Sequence, residues 1–196
     1  MREPIMRDVA TPTVPSARAW QWTPLVRKSL TVFHAICGIG WMGVDIAVFA
    51  LLMTARTTDD PTLVASGFNA IRIVVPLAVP ALSLGMLATG LLMGLGTRWG
   101  LIRYWWVLVK LIMALIMVVL VFASLVPAVT SISVLAPTAT SADELRARLG
   151  SLPDMLLFPP IVSFLMLGVA TVLSIFKPWR RTPWSRAPTF IVDREA

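Results

Sequence analysis

His34, Trp41, Asp45 and Lys110 are chemically capable residues set inside long apolar runs, where polar groups are costly. A charged side chain near the middle of a bilayer costs on the order of 3 kcal/mol on insertion scales, so each needs a partner or a purpose. Asp45 could be an ion or proton site, could pair with a buried cation, or could be bonded between helices. His34 precedes it by close to three helical turns, so His34, Cys37 with Gly38, Trp41 and Asp45 share one helix face. His34 could be an axial haem ligand, a copper ligand or a proton carrier, or could bond a hydroxyl on another span. It is the only histidine and Cys37 the only cysteine, so no metal site is expected and Cys37 reads as a packed small apolar residue. Lys110 heads a seam with Ala114, Met117, Val121 and Ser124. By register it lies level with His34 and well below Asp45, so no direct Asp45–Lys110 salt bridge is expected. Ser163 is close to level with Asp45 and is its natural neutral partner. Arg72, at the outer mouth of a span, completes the set of buried polar candidates.

The elements that must position these residues follow from apolar length. Crossing about 30 Å of hydrocarbon takes about 20 helical residues. Four runs qualify, at about 30–53, 73–96, 104–126 and 155–176. None alternates with period two, which disfavours a β-barrel, and backbone groups in lipid must pair within the segment, which favours helices. The expected fold is all-α: a polytopic membrane protein with a four-helix transmembrane domain over 29–177, between tails at 1–28 and 178–196. Asp60 and Pro61 predict that the second helix starts outside the membrane. Ser141 and Glu144 form a capping box and Gly150 a stop, which predicts a short surface helix. Val126 is read as the end of span three, and Pro159-Pro160 as a boundary signal at the start of span four. Pro76 and Pro80 should kink span two. The Gly90–Gly94 spacing suits close packing within the bundle.

The chain has 196 residues, 57% of them hydrophobic and only 14% charged, with mean hydropathy +0.81. Its net charge of +7 and pI of about 11.0 would fit a nucleic-acid binder if the charge formed a domain. Instead it flanks the spans, so no nucleic-acid partner is expected. Twelve Lys and Arg residues fall on one face: Arg2, Arg7, Arg18, Arg27, Lys28, Arg98, Arg103, Lys177, Arg180, Arg181, Arg186 and Arg194. Only Arg56, Arg72, Arg146 and Arg148 fall on the other. Positive charge stays cytoplasmic, which places both termini inside a plasma membrane. Trp20, Trp22, Trp99, Trp105, Trp106, Trp179 and Trp184 gather at that same face, where an indole is half buried with its N–H wet. No apolar leader core precedes the first span, so that span is expected to act as its own insertion signal.

His34 with Gly40-Trp41-Met42-Gly43, the run Gly90 to Leu101, Arg103-Tyr104-Trp105-Trp106 through Lys110, and Phe176-Lys177-Pro178-Trp179-Arg180 carry a resemblance. Over roughly residues 29–182 the chain resembles a family of uncharacterised four-span actinobacterial membrane proteins. That resemblance implies fold and location only. Span one is also loosely similar to bacterial copper-resistance membrane proteins, whose further histidines are missing here.

No serine–histidine–acid set and no phosphate-cradling glycine loop is present, so no catalytic residue is assigned. The reading is a non-enzymatic accessory or assembly bundle whose partners are the lipid bilayer and another membrane protein or a second copy. One alternative is a small transporter or proton-handling protein using Asp45, His34 and Lys110. A second is a redox subunit associated with haem or quinone, with His34 as the ligand of haem b.

Overall fold

The computed structural model describes residues 22–97, 100–135 and 141–185. Arg2, Arg7, Arg18, Trp20, Arg98, Trp99, Arg186 and Arg194 lie outside the described residues, as does most of each terminal tail. Among the described residues every extended element is helical, and four helices are long and apolar enough to cross a membrane.

Helix α1 spans Pro24–Thr57. It starts before the apolar run because Thr23 caps it, accepting from the Val26 N–H at 3.4 Å, with Pro24 in the first turn. Helix α2 spans Pro61–Leu95. Its start is the expected one: the Asp60 carboxylate accepts from the Thr62 N–H at 2.8 Å and Pro61 opens the first turn. At 1.5 Å per residue these helices run about 50 Å, more than the roughly 30 Å needed to cross a hydrocarbon core.

The third span departs from expectation. Helix α3 covers Trp105–Leu120, and the chain then widens into a π-helical turn at Val121–Leu125 before resuming as α4, Val126–Leu135. The sequence reading ends the span at Val126, and the next residue, Pro127, is a helix breaker whose ring strikes a carbonyl one turn back and which offers no N–H. The π turn resolves that conflict. Val126 N–H reaches back five residues to Val121 O, and the wider turn lets the helix continue through Pro127.

Helix α5, Ala142–Leu149, is the expected short helix, with Ser141 Oγ accepting from the Glu144 N–H at 3.2 Å and Gly150 at φ 53° closing it. It is not a free surface helix, because Leu145 and Leu149 are buried against the bundle. Helix α6, Leu152–Phe176, also corrects the sequence reading. Leu152-Pro153 starts it, and Pro159 and Pro160 lie inside. An Arg56–Asp154 ion pair ties the end of α1 to the start of α6. At the other end Lys177 takes a left-handed conformation (φ 46°) and ends α6. The chain then folds back under the α2–α3 connection. Thr182, with no exposed surface, donates its N–H to Arg103 O at 3.0 Å and its hydroxyl to Ile102 O at 2.8 Å. Trp22 closes the same end: its indole donates to Leu92 O at 2.9 Å, packed flush on Gly96, where any side chain would overlap the ring.

The most completely buried apolar residues gather toward the other end of the bundle. Leu52 of α1, Val64, Ile71 and Val75 of α2, Val129 and Ile132 of α4, and Leu145 and Leu149 of α5 form one cluster. Arg72 does not join it and is exposed, which corrects its place among the buried candidates. One residue of helix turns the chain about 100°, so with Ile71 facing the core Arg72 points away.

Candidate functional site

Along α1 the buried positions are Cys37, Trp41, Asp45, Val48, Leu52 and Ala55, a single stripe of three- and four-residue steps facing the bundle. Asp45 is 6% exposed and Ser163, on α6, 8%. Ser163 Oγ lies 2.6 Å from Asp45 Oδ2 and 3.4 Å from the Pro160 carbonyl of its own helix. Trp41 lies one turn before Asp45 on the same buried stripe. A serine has one hydrogen to donate, so it bonds either the carboxylate or the Pro160 carbonyl at a given moment.

His34 is paired with α2. Its Nδ1 lies 2.9 Å from Thr89 Oγ1, and Thr89 lies 2.6 Å from Gly85 O. Thr89 donates its hydrogen to Gly85 O, so toward His34 its oxygen is placed to accept from Nδ1–H. The imidazole rests against Gly90, at whose position an added Cβ would stand 3.5 Å from His34 Cε1. Close by, a Cβ at Gly85 would stand only 2.9 Å from Cys37 Sγ, so a glycine is what lets α1 and α2 meet there. Gly94 likewise faces Leu101 of the same chain, so both glycines of the Gly90–Gly94 pair are used inside the bundle.

Lys110 is half-buried, bonds Ser174 Oγ on α6 at 2.6 Å and sits 5.3 Å from the centre of the Trp106 ring one turn back. Asp45 pairs with Ser163 and Lys110 with Ser174, so the two charged groups are used separately. The hydroxyls of Thr89 and Ser174 were not singled out from sequence. Each is a polar residue inside an apolar run, and that was the available signal.

Two partly open cavities adjoin Trp41, Lys110 and Ser163. One of about 30 Å³, the size of a water molecule, is bordered by Lys110, Ser83, Ala114 and Met166. The next, about 160 Å³, is bordered by Val121 and Ser124 of the π turn and by Ser163. Trp41 and Met117 line both and stand between them. A third space, a groove of about 260 Å³ between α1 and α6, is lined by Asp45, Phe49 and Phe164 among others. His34 lines none of these three. Among the described residues no group of three or more His, Cys, Asp or Glu is placed to hold a metal ion.

Comparison with protein-family models, with curated proteins and with solved structures finds no match for this chain.

Proposed function

We propose that the chain is a four-span plasma-membrane protein with both termini cytoplasmic, acting as a non-enzymatic accessory or assembly bundle. One observation carries this reading. Three ionisable side chains within the spans are each joined to a hydroxyl on another helix: Asp45 to Ser163, His34 to Thr89, Lys110 to Ser174. These bonds link α1 to α6, α1 to α2 and α3 to α6. Side-chain hydrogen bonds between helices replace, in lipid, the hydrophobic drive that holds soluble bundles together. A group used in this way is a fastener, and three fasteners fix the relative positions of all four spans.

An accessory protein resides in a larger complex. Gentle solubilisation of native membranes should place the tagged chain in a discrete assembly larger than itself, with one co-purifying membrane protein in fixed ratio. Recovery of the whole population as a lone chain, after cross-linking in the intact membrane, would overturn the reading.

The adjoining cavities favour one second reading, proton handling. The line from Lys110 past Trp41 and Met117 to Ser163 and Asp45 is the only polar thread through the cavities described above. Acidification of dye-loaded vesicles containing the purified chain, lost in Asp45→Asn, would replace the accessory role with this one.

A further inference from the structure

We infer that the groove between α1 and α6 is a binding site for a compact lipophilic cation, an aromatic ammonium or phosphonium compound, with Asp45 as its counter-charge. The inference does not rest on the proposed accessory role. The groove holds about 260 Å³ and is walled by Ile46 and Phe49 from α1 and by Pro160, Ile161 and Phe164 from α6, with the Asp45 carboxyl group among them. Its walls are otherwise apolar, so a bound molecule must itself be mostly apolar. Phe49 and Phe164 are rings whose faces attract cations. The surrounding faces of both helices carry exposed Ile46, Phe49, Ile161 and Leu165, the surface of a segment that meets acyl chains. A ligand would therefore arrive from the bilayer, and its size is that of a small ligand or of one arm of a larger one.

The carboxyl group selects the charge. An anion would meet repulsion from a carboxylate in a medium of low dielectric, and a lipophilic cation would meet attraction. A metal ion needs several oxygen ligands, and only one carboxyl group lines this space. Ser163 gives the site a way to open. With the carboxylate free, its hydroxyl stabilises Oδ2 at 2.6 Å; when a cation takes that role, the hydroxyl has the Pro160 carbonyl at 3.4 Å as its alternative acceptor. Neither state leaves a buried donor unsatisfied.

The test uses the full chain in lipid nanodiscs and two ions of the same shape and opposite charge, tetraphenylphosphonium and tetraphenylborate. Labelled tetraphenylphosphonium should bind saturably, and tetraphenylborate should not compete. Asp45→Asn, which keeps an oxygen for Ser163, should weaken binding by about tenfold or more. Ile161→Trp fills the groove without touching the Asp45–Ser163 bond and should abolish binding in a chain that melts as the unaltered protein does. Equal binding to the Asn chain, equal binding of the two ions, or undiminished binding to the Ile161→Trp chain would each overturn the inference. So would efficient Phe49→Cys disulfide cross-linking between two chains with Cys37 replaced, because a second copy would then occupy the groove.

Discussion

Replacing Ser163 with alanine tests the fastener argument most directly. The substitution removes one oxygen and leaves the helix geometry alone. What changes is the carboxyl group of the buried Asp45, which loses its 2.6 Å partner. In a water-soluble core, orphaning such a group would cost about 1–3 kcal/mol. In membranes the unfolded reference also finds partners, and measured side-chain bonds average about 0.6 with a maximum near 1.7 kcal/mol. The membrane figure governs here. The short distance and the burial of both partners place this bond toward its upper end, about 1–1.7 kcal/mol. For a chain of this size that lowers the melting temperature by roughly 2–7 °C. Asp45→Asn keeps an acceptor and should cost less than Ser163→Ala; Asp45→Leu should cost more, because Ser163 then keeps only its long contact with Pro160. The assay is reversible unfolding in mixed micelles with the full double-mutant cycle of Asp45→Leu and Ser163→Ala. A coupling energy indistinguishable from zero would refute the reasoning, since the observed bond would then hold nothing together.

Three further outcomes are expected. Cysteine labelling in intact cells, with Cys37 replaced, should modify Asp60→Cys and Ser141→Cys from outside and leave Arg98→Cys protected; the reverse pattern would invert the topology. Gly85→Ala should destabilise the bundle by about 1–3 kcal/mol through its clash with Cys37 Sγ at 2.9 Å, whereas Gly168→Ala, with nothing within 4 Å, should be neutral or stabilising by up to about 1 kcal/mol; equal effects in thermal melts would dismiss the α1–α2 packing argument. Thr182→Val removes the hydroxyl bond to Ile102 O, so trypsin should cut at Arg180 and Arg181 several times faster; an unchanged rate would mean the folded-back tail is held by other contacts.

The sequence made the spans legible because lipid imposes a single demand, an unbroken apolar helix, and four runs meet it. Caps were legible where their chemistry is local, as at Asp60-Pro61 and Ser141–Glu144. Thr23-Pro24 is the same kind of signal and was passed over because the apolar run starts later. Proline misled twice, for one reason. It forbids a regular α-turn but not a helix that widens or gives up a bond, and the π turn before Pro127 and the unbroken course of α6 through Pro159-Pro160 are those solutions. The seam from Lys110 to Ser124 is recovered as the wall of two cavities, since Ala114, Met117, Val121 and Ser124 line one or both. The Arg72 error came from treating depth as burial. Depth follows from counting residues, whereas burial depends on azimuth, and Ile71 holds the inward position.

Packing changes character along the bundle. The ends of α1 and α2 nearest their connection, with α4 and the small α5, enclose side chains with essentially no exposure, among them Leu52, Val64, Val129 and Ile132. The small α5 completes that cluster: an eight-residue helix is too short to be stable alone, yet Leu145 and Leu149 are 2% exposed. Between apolar helices in lipid the hydrophobic drive is absent, because acyl chains solvate leucine as well as leucine does. Toward the opposite end α1 and α2 meet closely at Gly85 and Gly90, while two partly open cavities lie beside α3 and α6. Polar bonds then help to fix helix positions, and one of their hydroxyl partners, Ser163, borders the larger cavity. Substitutions that fill the larger cavity, such as Ser124→Leu, should therefore be tolerated, whereas substitutions of equal size at the fully buried Val64 or Val129 should unfold the chain; equal sensitivity in the two zones would show that one packing regime runs the whole length.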